Sequence, residues 1–582
     1  MSKPQVACQS ATLSSSPITF VDSFREGLQA EVEEHIRAIA SLRVRMNTVI
    51  PIAQLPSEIL SHIFTLYAAV MKNHYTYTRR GPPHYYWMDV THVCHYWREA
   101  ALGDPRLWSD ILVTAGSVAR VEELLNRSKQ TKLHVEIDAT EVKWLPTLQR
   151  IAREAGRIET LILKQSTSAL LFSDHFPLEV PLLRHLILKG DLGNYGYQSG
   201  QHLKMPVPLT TWSMPSLVEL RVSSLPVDWA NMVLPSSLVH LHITHGKVAL
   251  QISNVIDVAR AIGSLVALET LEFRDPTTSQ PSQASLLSAP DSTFSLPNLK
   301  FIDLAGPFMP IIFLLDHLIV PASTKMLLSF TFPSFSDAEV PQIARSLAPK
   351  LSQGLVDDGK QAIWKVSIAP DTLLFYKRAD TPARPAWFHV SITLPRRIIE
   401  SGSIFRDLLP HLPIRDTERL VLSDVPYVPQ DWMRTLRAMP FVRTLTLEHD
   451  RPGLDGVQKV LRLCTGVGTD GRKIVVFPVL RYLILAKVRF REAADLDDLE
   501  DSELVTELGR TLRMRRGQGS KLKKIYIREC LNMDDPDVER LEKRVDVDWD
   551  HKIEFEEVED SEDELSSDGF GYGGRDYDDE FF

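Results

Sequence analysis

Apolar residues recur after residue 115 in a six-residue pattern, L-x-x-L-x-L, in which Ile, Val or Phe replaces some leucines. Its last three positions have the alternation of a β-strand that buries one face. Segments between copies, such as Val118 to Asn126 and Val255 to Ile262, have the spacing of amphipathic helices. Clear copies begin at Ile158, Leu183, Leu217, Leu238, Leu268, Leu299, Val442, Leu480 and Leu522, and weaker copies centre on Leu328, Val366, Val390 and Leu420.

A strand followed by a returning helix, repeated along the chain, predicts a parallel sheet with helices on its other side. No single unit can bury its own leucines, so neighbouring units must stack. The spacing between copies varies from 21 to 42 residues, which indicates an irregular array. We therefore predict an α/β fold, with residues 116–545 forming an irregular solenoid. The alternative is a set of unrelated α/β domains.

The middle residue of each L-x-L points away from the buried leucines and predicts the surface that the stacked strands present. These residues are in turn apolar, charged, hydroxylated (Ser329, Ser367 and Ser391) and again apolar. They do not repeat in the regular way that base recognition by a repeat array requires. A surface of mixed chemistry is instead typical of one that binds a protein. We expect a protein target and no nucleic acid, with five contact residues: Arg221, His242, Glu272, Asp303 and Tyr526.

The N-terminal region has a different pattern. Residues 1–20 are rich in Ser, Thr and Pro, and we expect them to be disordered. Asp22 to Asn47 has the spacing of one amphipathic helix, with Val32, Ile36 and Ile39 on its apolar face. We expect this helix to pack against the next module; a short coiled coil is the alternative.

A compact segment begins at Pro51. Pro56 suits the first position of a helix because its φ is already fixed. Two apolar stripes run along this helix, so it must be covered on two sides, and a module of about 60 residues has too little interior for both. The stripes are Leu60, Ile63, Phe64 and Tyr67, and Ile59, Ile63, Leu66 and Val70.

A second helical stripe follows an insertion rich in Tyr, His and Pro between Lys72 and Trp87. It comprises Val90, Val93, Cys94, Trp97 and Ala101. Asp104 and Pro105 then predict an N-cap and first position of a turn that delivers Leu107 and Trp108. The three short helical segments carry more apolar surface than they can hide, which is typical of a docking module.

The motifs LPSEILSHIF at residues 55–64 and VCHYWREAALGDPRLW at residues 93–108 resemble the F-box-like family, in the form common among fungal proteins. The resemblance implies an F-box-like domain over residues 51–115 that binds a Skp-type adaptor and, through it, a cullin scaffold of a ubiquitin ligase. The insertion between residues 72 and 87 is longer than is usual in the family. The adaptor-binding residues implied are Pro51, Leu55, Pro56, Ile59, Leu60, Ile63, Phe64, Val93, Trp97, Leu107 and Trp108.

The repeats resemble the leucine-rich-repeat family, whose arrays often follow F-box modules. That family places Asn or Cys three residues after the last leucine, and here Cys530 alone fits among the positions compared. The ladder of hydrogen bonds that Asn provides therefore needs a substitute, which is a further reason to expect an irregular solenoid.

Charge and composition narrow the function. The chain carries a net charge of −10, but residues 545–582 hold 16 acidic and two basic residues, which leaves the rest near neutral. This balance does not favour nucleic-acid binding. Four scattered cysteines without a CxxC, and no signal peptide, favour a reducing compartment, so we expect a cytoplasmic or nuclear protein. The apolar stretch Pro307 to Ala322 is too short and too interrupted to span a membrane.

The sequence contains only weak matches to nucleotide-binding and metal-binding motifs. Gly466 to Gly471 matches GxGxxG, but it follows a helical pattern and precedes a strand predicted at Lys473 to Phe477, the reverse of a nucleotide site. His92, Cys94 and His95 are better explained by a helix with a buried thiol than by a metal site, and we expect His240, His242 and His245 to be surface residues. We expect no enzyme activity, catalytic residue, cofactor or metal.

The C-terminal region contrasts a basic segment with an acidic one. Arg510 to Lys524 holds seven basic residues, which we interpret as the solvated face of a repeat helix. A nuclear-import signal or a docking strip for the acidic tail is the alternative. We expect residues 546–582 to be a disordered acidic tail.

These patterns lead to two hypotheses. In the first, the chain is a substrate-receptor subunit of an SCF-type ubiquitin ligase: the F-box-like helices bind the adaptor and the repeats bind a protein target. In the second, it is a scaffold or binding module outside any ligase, and the F-box-like helices only cap the repeat array.

Overall fold

The computed structural model describes residues 17–75, 85–113, 118–138, 145–165, 179–190, 212–225, 227, 229–244, 255–274, 293–332, 339–352, 363–377, 387–393, 403–424, 429–448, 476–491 and 502–553. The chain divides into two compact units, Met1–Leu225 and Pro226–Phe582. Within the described residues, none of the helices combines the length and the apolar character that crossing a membrane requires.

The first unit consists of helical segments followed by a parallel sheet. Its helices are α1 (Pro17–Thr48), α2 (Ser57–Tyr75), α3 (His95–Gly103), α4 (Val118–Arg127) and α5 (Leu145–Ala152), with 3-10 turns at Pro51–Gln54, Tyr86–His92, Pro105–Trp108 and Ala155–Arg157. Its strands are β1 (Asp110–Val113), β2 (Leu133–Asp138), β3 (Ile158–Gln165), β4 (His185–Gly190) and β5 (Glu219–Ser223).

The strands β1 to β5 pair in chain order and all in parallel. One inward residue of each strand lies in register with the next, and these residues form a buried apolar ladder at the centre of the sheet. No strand covers its own leucine, so each depends on its neighbours, as the repeat pattern predicts. The ladder is Ile111, Val135, Leu161, Leu186 and Leu220.

The second unit has the same construction over a longer chain. Its strands are β6 (His240–Thr244), β7 (Thr270–Arg274), β8 (Phe294–Ser295), β9 (Phe301–Pro307), β10 (Leu318–Ile319), β11 (Lys325–Thr331), β12 (Ile363–Ile368), β13 (Thr372–Lys377), β14 (Phe388–Thr393), β15 (Arg419–Ser423), β16 (Thr444–Glu448), β17 (Tyr482–Ala486), β18 (Lys524–Arg528) and β19 (Asp546–Trp549). Its helices are α6 (Val255–Gly263), α7 (Phe308–His317), α8 (Glu339–Ser352), α9 (Ser403–Leu408), α10 (Pro429–Arg437), α11 (Glu503–Gly517) and α12 (Asp535–Glu542), with a 3-10 turn at Leu409–His411.

The clear copies of the leucine pattern are confirmed as strands. In most of them the first apolar residue lies in the turn before the strand, and the strand begins two residues later. Leu217 before β5 and Leu238 before β6 are both fully buried at that turn. The fold class is therefore the predicted one: a helical N-terminal module followed by parallel strands with helices, which resembles a leucine-rich-repeat solenoid.

One strand departs from the expected parallel arrangement. β13 pairs antiparallel with β12 on one side and with β14 on the other. Only Ala369, Pro370 and Asp371 separate Ile368 from Thr372, and a crossover to a parallel neighbour needs a dozen or more residues. A hairpin is the only connection that this spacing allows. β11 then pairs in parallel with β14, and β12 with β15, so the array continues on both sides.

Three local expectations were also wrong. Before β6 the described return segment is irregular rather than helical, and buries Trp229 and Met232 instead of a helix face. Val476 and Phe477, the described end of a predicted strand, form a turn in which Phe477 has a φ of 54°. The predicted tail starts too early, because Asp546–Trp549 forms β19 in parallel with β18; residues 554–582 lie outside the described residues.

The missing Asn ladder is replaced by a recurring left-handed turn. The residue directly after β5, β15, β17 and β18 has a φ between 46° and 58°. Cys530, at the position that fits the repeat family, is buried and its thiol donates to the Leu485 carbonyl across 3.5 Å. Burial raises the pKa of the Cys530 thiol to about 11, so it stays protonated as a donor. The four left-handed residues are Ser224, Asp424, Lys487 and Glu529.

The basic segment is only partly a solvated face. Arg513 and Arg516 are exposed on α11, but Arg515 is 1% exposed. Its guanidinium donates to the carbonyls of Val476 at 2.9 Å and Phe477 at 2.6 Å. Arg515 therefore closes the left-handed turn before β17, while docking of the acidic tail on the other basic residues stays a prediction.

Replacing Arg515 with Ala should lower the free energy of unfolding by about 1–3 kcal/mol, because the buried Val476 carbonyl is left without a donor. The Phe477 carbonyl keeps the Leu480 amide as a donor at 3.1 Å. Urea unfolding of the full chain measures the change. The exposed Arg516→Ala is the matched control and should have almost no effect. Equal stabilities of the two variants would contradict the structural role of Arg515.

Candidate functional site

The helix α2 buries only part of its first predicted stripe and leaves the second in solvent. Ile63, which belongs to both stripes, is 40% exposed, and Tyr67 is half-buried. The Pro56 carbonyl accepts the Leu60 amide at 3.1 Å, so this proline precedes the helix rather than opening it. Leu60 and Phe64 are fully buried. The second stripe is between 40% and 61% exposed; we call it the α2 stripe, and it consists of Ile59, Ile63, Leu66 and Val70.

The buried side of α2 packs on α3. The Phe64 and Trp97 rings lie with their centroids 5.1 Å apart. The Tyr96 hydroxyl donates to the Leu55 carbonyl at 2.7 Å, which fixes the turn before α2. These contacts hold α2 from one side only, so the α2 stripe keeps its orientation while it remains uncovered.

The second predicted helix is broken. Tyr86–His92 is a 3-10 turn, and α3 starts only at His95, because Cys94 adopts an extended conformation with φ −159° as the residue before the helix. The break turns Val93 outward, where it is 59% exposed, and leaves Cys94 half-buried rather than in the core. Val93 is therefore part of the surface and not of a continuous inner stripe.

The turn at Pro105–Trp108 matches the sequence prediction. The Asp104 carboxylate accepts the Arg106 amide at 3.0 Å and also binds the Arg106 guanidinium. Burial raises the pKa of Asp104, but the hydrogen bonds from Arg106 outweigh it and hold this pKa below its usual value. The Trp108 indole N–H donates to the Ala101 carbonyl at 2.8 Å, so Trp108 belongs to the core.

The described end of the 72–87 insertion completes that core. Trp87 stacks edge-on against Trp108 with a centroid separation of 5.1 Å. The Tyr85 hydroxyl accepts the Leu112 amide of β1 at 2.8 Å. The place of Tyr85 and Trp87 in the interior could not be predicted from the pattern of apolar residues, because the insertion interrupts every helical pattern around it. Residues 76–84 lie outside the described residues.

The residues that the family resemblance implies as adaptor contacts thus fall into two groups. Leu60, Phe64, Leu107 and Trp108 are buried in this chain and support the surface from beneath. The others are exposed or half-buried and available for contact: Pro51, Leu55, Pro56, Ile59, Ile63, Val93 and Trp97. Their role in binding stays a prediction, and it depends on the second group.

The outward face of the second unit's sheet is less open than predicted. His242 is 9% exposed and Asp303 is 2% exposed. The His242 ring lies 3.0 Å from the Glu272 carboxylate, and Asp303 forms an ion pair with Arg274. The prediction that His242 is a surface histidine was wrong, since neighbouring strands bring acids and bases close enough to pair.

Arg221, Glu272 and Tyr526 are the predicted target contacts that remain accessible, and Glu272 is half-buried beside His242. Arg221 is exposed on β5 in the first unit and pairs with Glu219. Tyr526 is half-buried on β18 in the second, with Lys524 and Arg528 about 5.3 Å and 5.5 Å from its ring.

The predicted row of serines is out of register. Asp303 pairs with Leu327 rather than Ser329, and Leu327 lies two residues before Ser329 on the same face. The row continues through His389 and Leu374 to Ser367, and Ser391 lies beside it, bonded to the Ser329 hydroxyl at 2.7 Å. The weak leucine patterns around Leu328 and Val390 placed the central residue two positions too late, whereas the pattern around Val366 placed Ser367 correctly.

The metal and nucleotide motifs considered in the sequence can be compared with the structure only in part. Within the described ranges no cluster of three or more His, Cys, Asp or Glu side chains has a geometry that could hold a metal ion, and this includes His92, Cys94 and His95. His245 and the GxGxxG segment lie outside the described residues.

Tyr85→Phe tests the core of the module. At neutral pH it should cost about 1–3 kcal/mol, because the buried Leu112 amide loses its acceptor. Burial raises the pKa of Tyr85 to about 12, above its unfolded value near 10. The intact tyrosine therefore loses its stabilising effect as the pH rises from about 10 to 12. The stability difference between the two chains, measured by urea unfolding, should shrink over that range; a constant difference would contradict it.

Comparison with known proteins gives one family match. The F-box-like family model matches residues 52–114. No curated protein matches the chain. Among solved structures, the crystal structure of a TLR13–ssRNA13 complex is similar at 11% identity and a TM-score of 0.25, covering 68% of this chain. The match covers 46% of that chain, so this protein spans about half its length. Since the family match spans α2, α3 and β1, residues 52–114 are an F-box-like domain.

Proposed function

We propose that this chain is a substrate-receptor subunit of an SCF-type ubiquitin ligase. The observation that supports this most directly is the α2 stripe: four aliphatic side chains on one helix face, exposed in a domain of the F-box-like family. Such domains bind Skp-type adaptors through helices of this kind. The adaptor would connect the chain to a cullin, and catalysis would belong to the partner enzymes.

Energetics favour a partner on this surface. Burying an exposed Ile, Leu or Val side chain contributes about 1.5–3 kcal/mol when burial is complete, and roughly half of that is available at each position of the α2 stripe. The four positions together supply the apolar centre of a specific interface. The surface is also preorganised, because Phe64 and Trp97 fix the helix from behind.

The target surface in this proposal is the outward face of the strands. Its accessible residues are mixed in chemistry, with Arg221 in one unit and Glu272 and Tyr526 in the other. A protein target is the class of partner that fits, and the compartment would be the cytoplasm or nucleus.

A second candidate function has an observation of its own. β1, which lies within the F-box-like domain, pairs with β2 over Asp110–Val113 and His134–Ile137, so the domain supplies the first strand of the sheet in its unit. This is what a capping role requires. Capping uses β1 and the buried Leu107 and Trp108, whereas the α2 stripe takes no part in it, so the two roles use separate residues.

The double variant Ile59→Glu with Ile63→Glu separates the two functions. It should weaken binding of a purified Skp-type adaptor at least about 30-fold, which corresponds to two kcal/mol at the centre of an interface. Stability should change little, because both side chains are exposed in the free chain. Isothermal titration calorimetry measures the affinity and urea unfolding the stability.

The matched control is Ala69→Glu, an exposed position on the same helix that lies roughly 90° around from the stripe, since successive helical residues are about 100° apart. It should bind the adaptor as the native chain does. If the native chain itself fails to bind any Skp-type adaptor, the ligase proposal is wrong and the capping role remains.

A further inference from the structure

The helix α1 is exposed along its whole described surface. From residue 21 to residue 46 every side chain is exposed, and none packs against the F-box-like domain as the sequence prediction supposed. Nine large apolar side chains are among them, each between 48% and 68% exposed. They are Val21, Phe24, Leu28, Val32, Ile36, Ile39, Leu42, Val44 and Met46.

A helix of 32 residues with this composition needs a packing partner to be stable. Most helical stability in proteins comes from packing an apolar face, and this face has no cover within the described residues. A contiguous exposed apolar surface of this size marks a contact with another molecule.

The charges of α1 indicate which molecule. Up to residue 34 the helix holds five acidic residues and one basic residue, Arg25. From residue 35 to its end it holds three basic residues and no acidic residue. The helix is thus negative in its first half and positive in its second, so it is complementary to a copy of itself that runs in the opposite direction. The acidic residues are Asp22, Glu26, Glu31, Glu33 and Glu34, and the basic ones are Arg37, Arg43 and Arg45.

The apolar positions have the same symmetry. Val32 and Ile39 lie at nearly equal distances on either side of residue 35, where the charge changes sign, and so do Leu28 and Leu42, and Phe24 and Met46. Antiparallel pairing therefore places apolar residues opposite apolar residues and each charged half opposite its complement. A parallel pair would instead set acidic against acidic and basic against basic, which is unfavourable.

We propose that α1 forms an antiparallel two-helix contact with α1 of a second copy of this chain, making the protein a dimer through a two-fold symmetric interface. The proposal is independent of adaptor binding, since it uses no residue of the α2 stripe.

The mass of the full chain in solution tests it first. Light scattering coupled to size-exclusion chromatography should give about twice the chain mass of 65.9 kDa. Removal of residues 1–48 should give a monomer that still binds a Skp-type adaptor. A native chain that is monomeric at every concentration accessible to the method overturns the proposal.

Charge exchange supplies a sharper test. Glu31→Lys with Glu33→Lys and Glu34→Lys makes both halves basic, and Arg37→Glu with Arg43→Glu and Arg45→Glu makes both halves acidic. Each triple variant should be monomeric, and their equimolar mixture should dimerise again. These side chains are exposed in the single chain, so its fold should be unaffected. Dimers of either variant alone, or no recovery on mixing, would overturn the pairing.

Cysteine cross-linking tests the relative direction of the two α1 helices. It uses a chain in which Cys8→Ser removes the cysteine that precedes α1. A mixture of the Phe24→Cys and Met46→Cys chains should form a disulfide between unlike chains, and neither chain alone should cross-link. Cross-linking of each chain with itself would show a parallel pair instead and would overturn the antiparallel contact.

Discussion

The structure depends on the sharing of one apolar layer between neighbouring strands. Each strand contributes inward side chains, such as Leu161 and Leu163 of β3, that are buried only because neighbouring repeats stack against them. The burial of these side chains therefore depends on the register between strands and not on any single repeat. For this reason the connections between strands can vary without exposing the apolar layer. The hairpin through β13 changes the route of the chain, while its buried Phe375 stays in register with Val366 of β12 and Phe388 of β14.

The F-box-like domain follows a different rule. Its interior is a small cluster of aromatic residues, including Phe64, Trp87 and Trp108, that fastens two short helices to the start of the sheet. So small an interior cannot enclose both sides of α2. The α2 stripe is exposed because the domain is small. A small interior lowers the stability of the isolated domain, and it also leaves an apolar surface on which a partner can bind.

Much of this fold could be predicted because its strongest signal is periodic. The spacing of Leu217, Leu220 and Val222 determines a strand without any knowledge of its neighbours, and the two stripes of α2 show that one must remain uncovered. What could not be predicted depends on contacts between distant residues. The burial of His242 and Asp303 follows from charges on adjacent strands, and the structural role of Arg515 follows from carbonyls about 38 residues before it. The role of Tyr85 required knowing where β1 lies.

The connection between α1 and the F-box-like domain has a mechanical consequence. Only Val49 and Ile50 separate the end of α1 at Thr48 from the turn that begins at Pro51. A helix of 32 residues is about 48 Å long, so α1 extends about that far from the turn at Pro51. A molecule bound at the N-terminal end of α1 would therefore lie about 48 Å along the helix from the turn at Pro51.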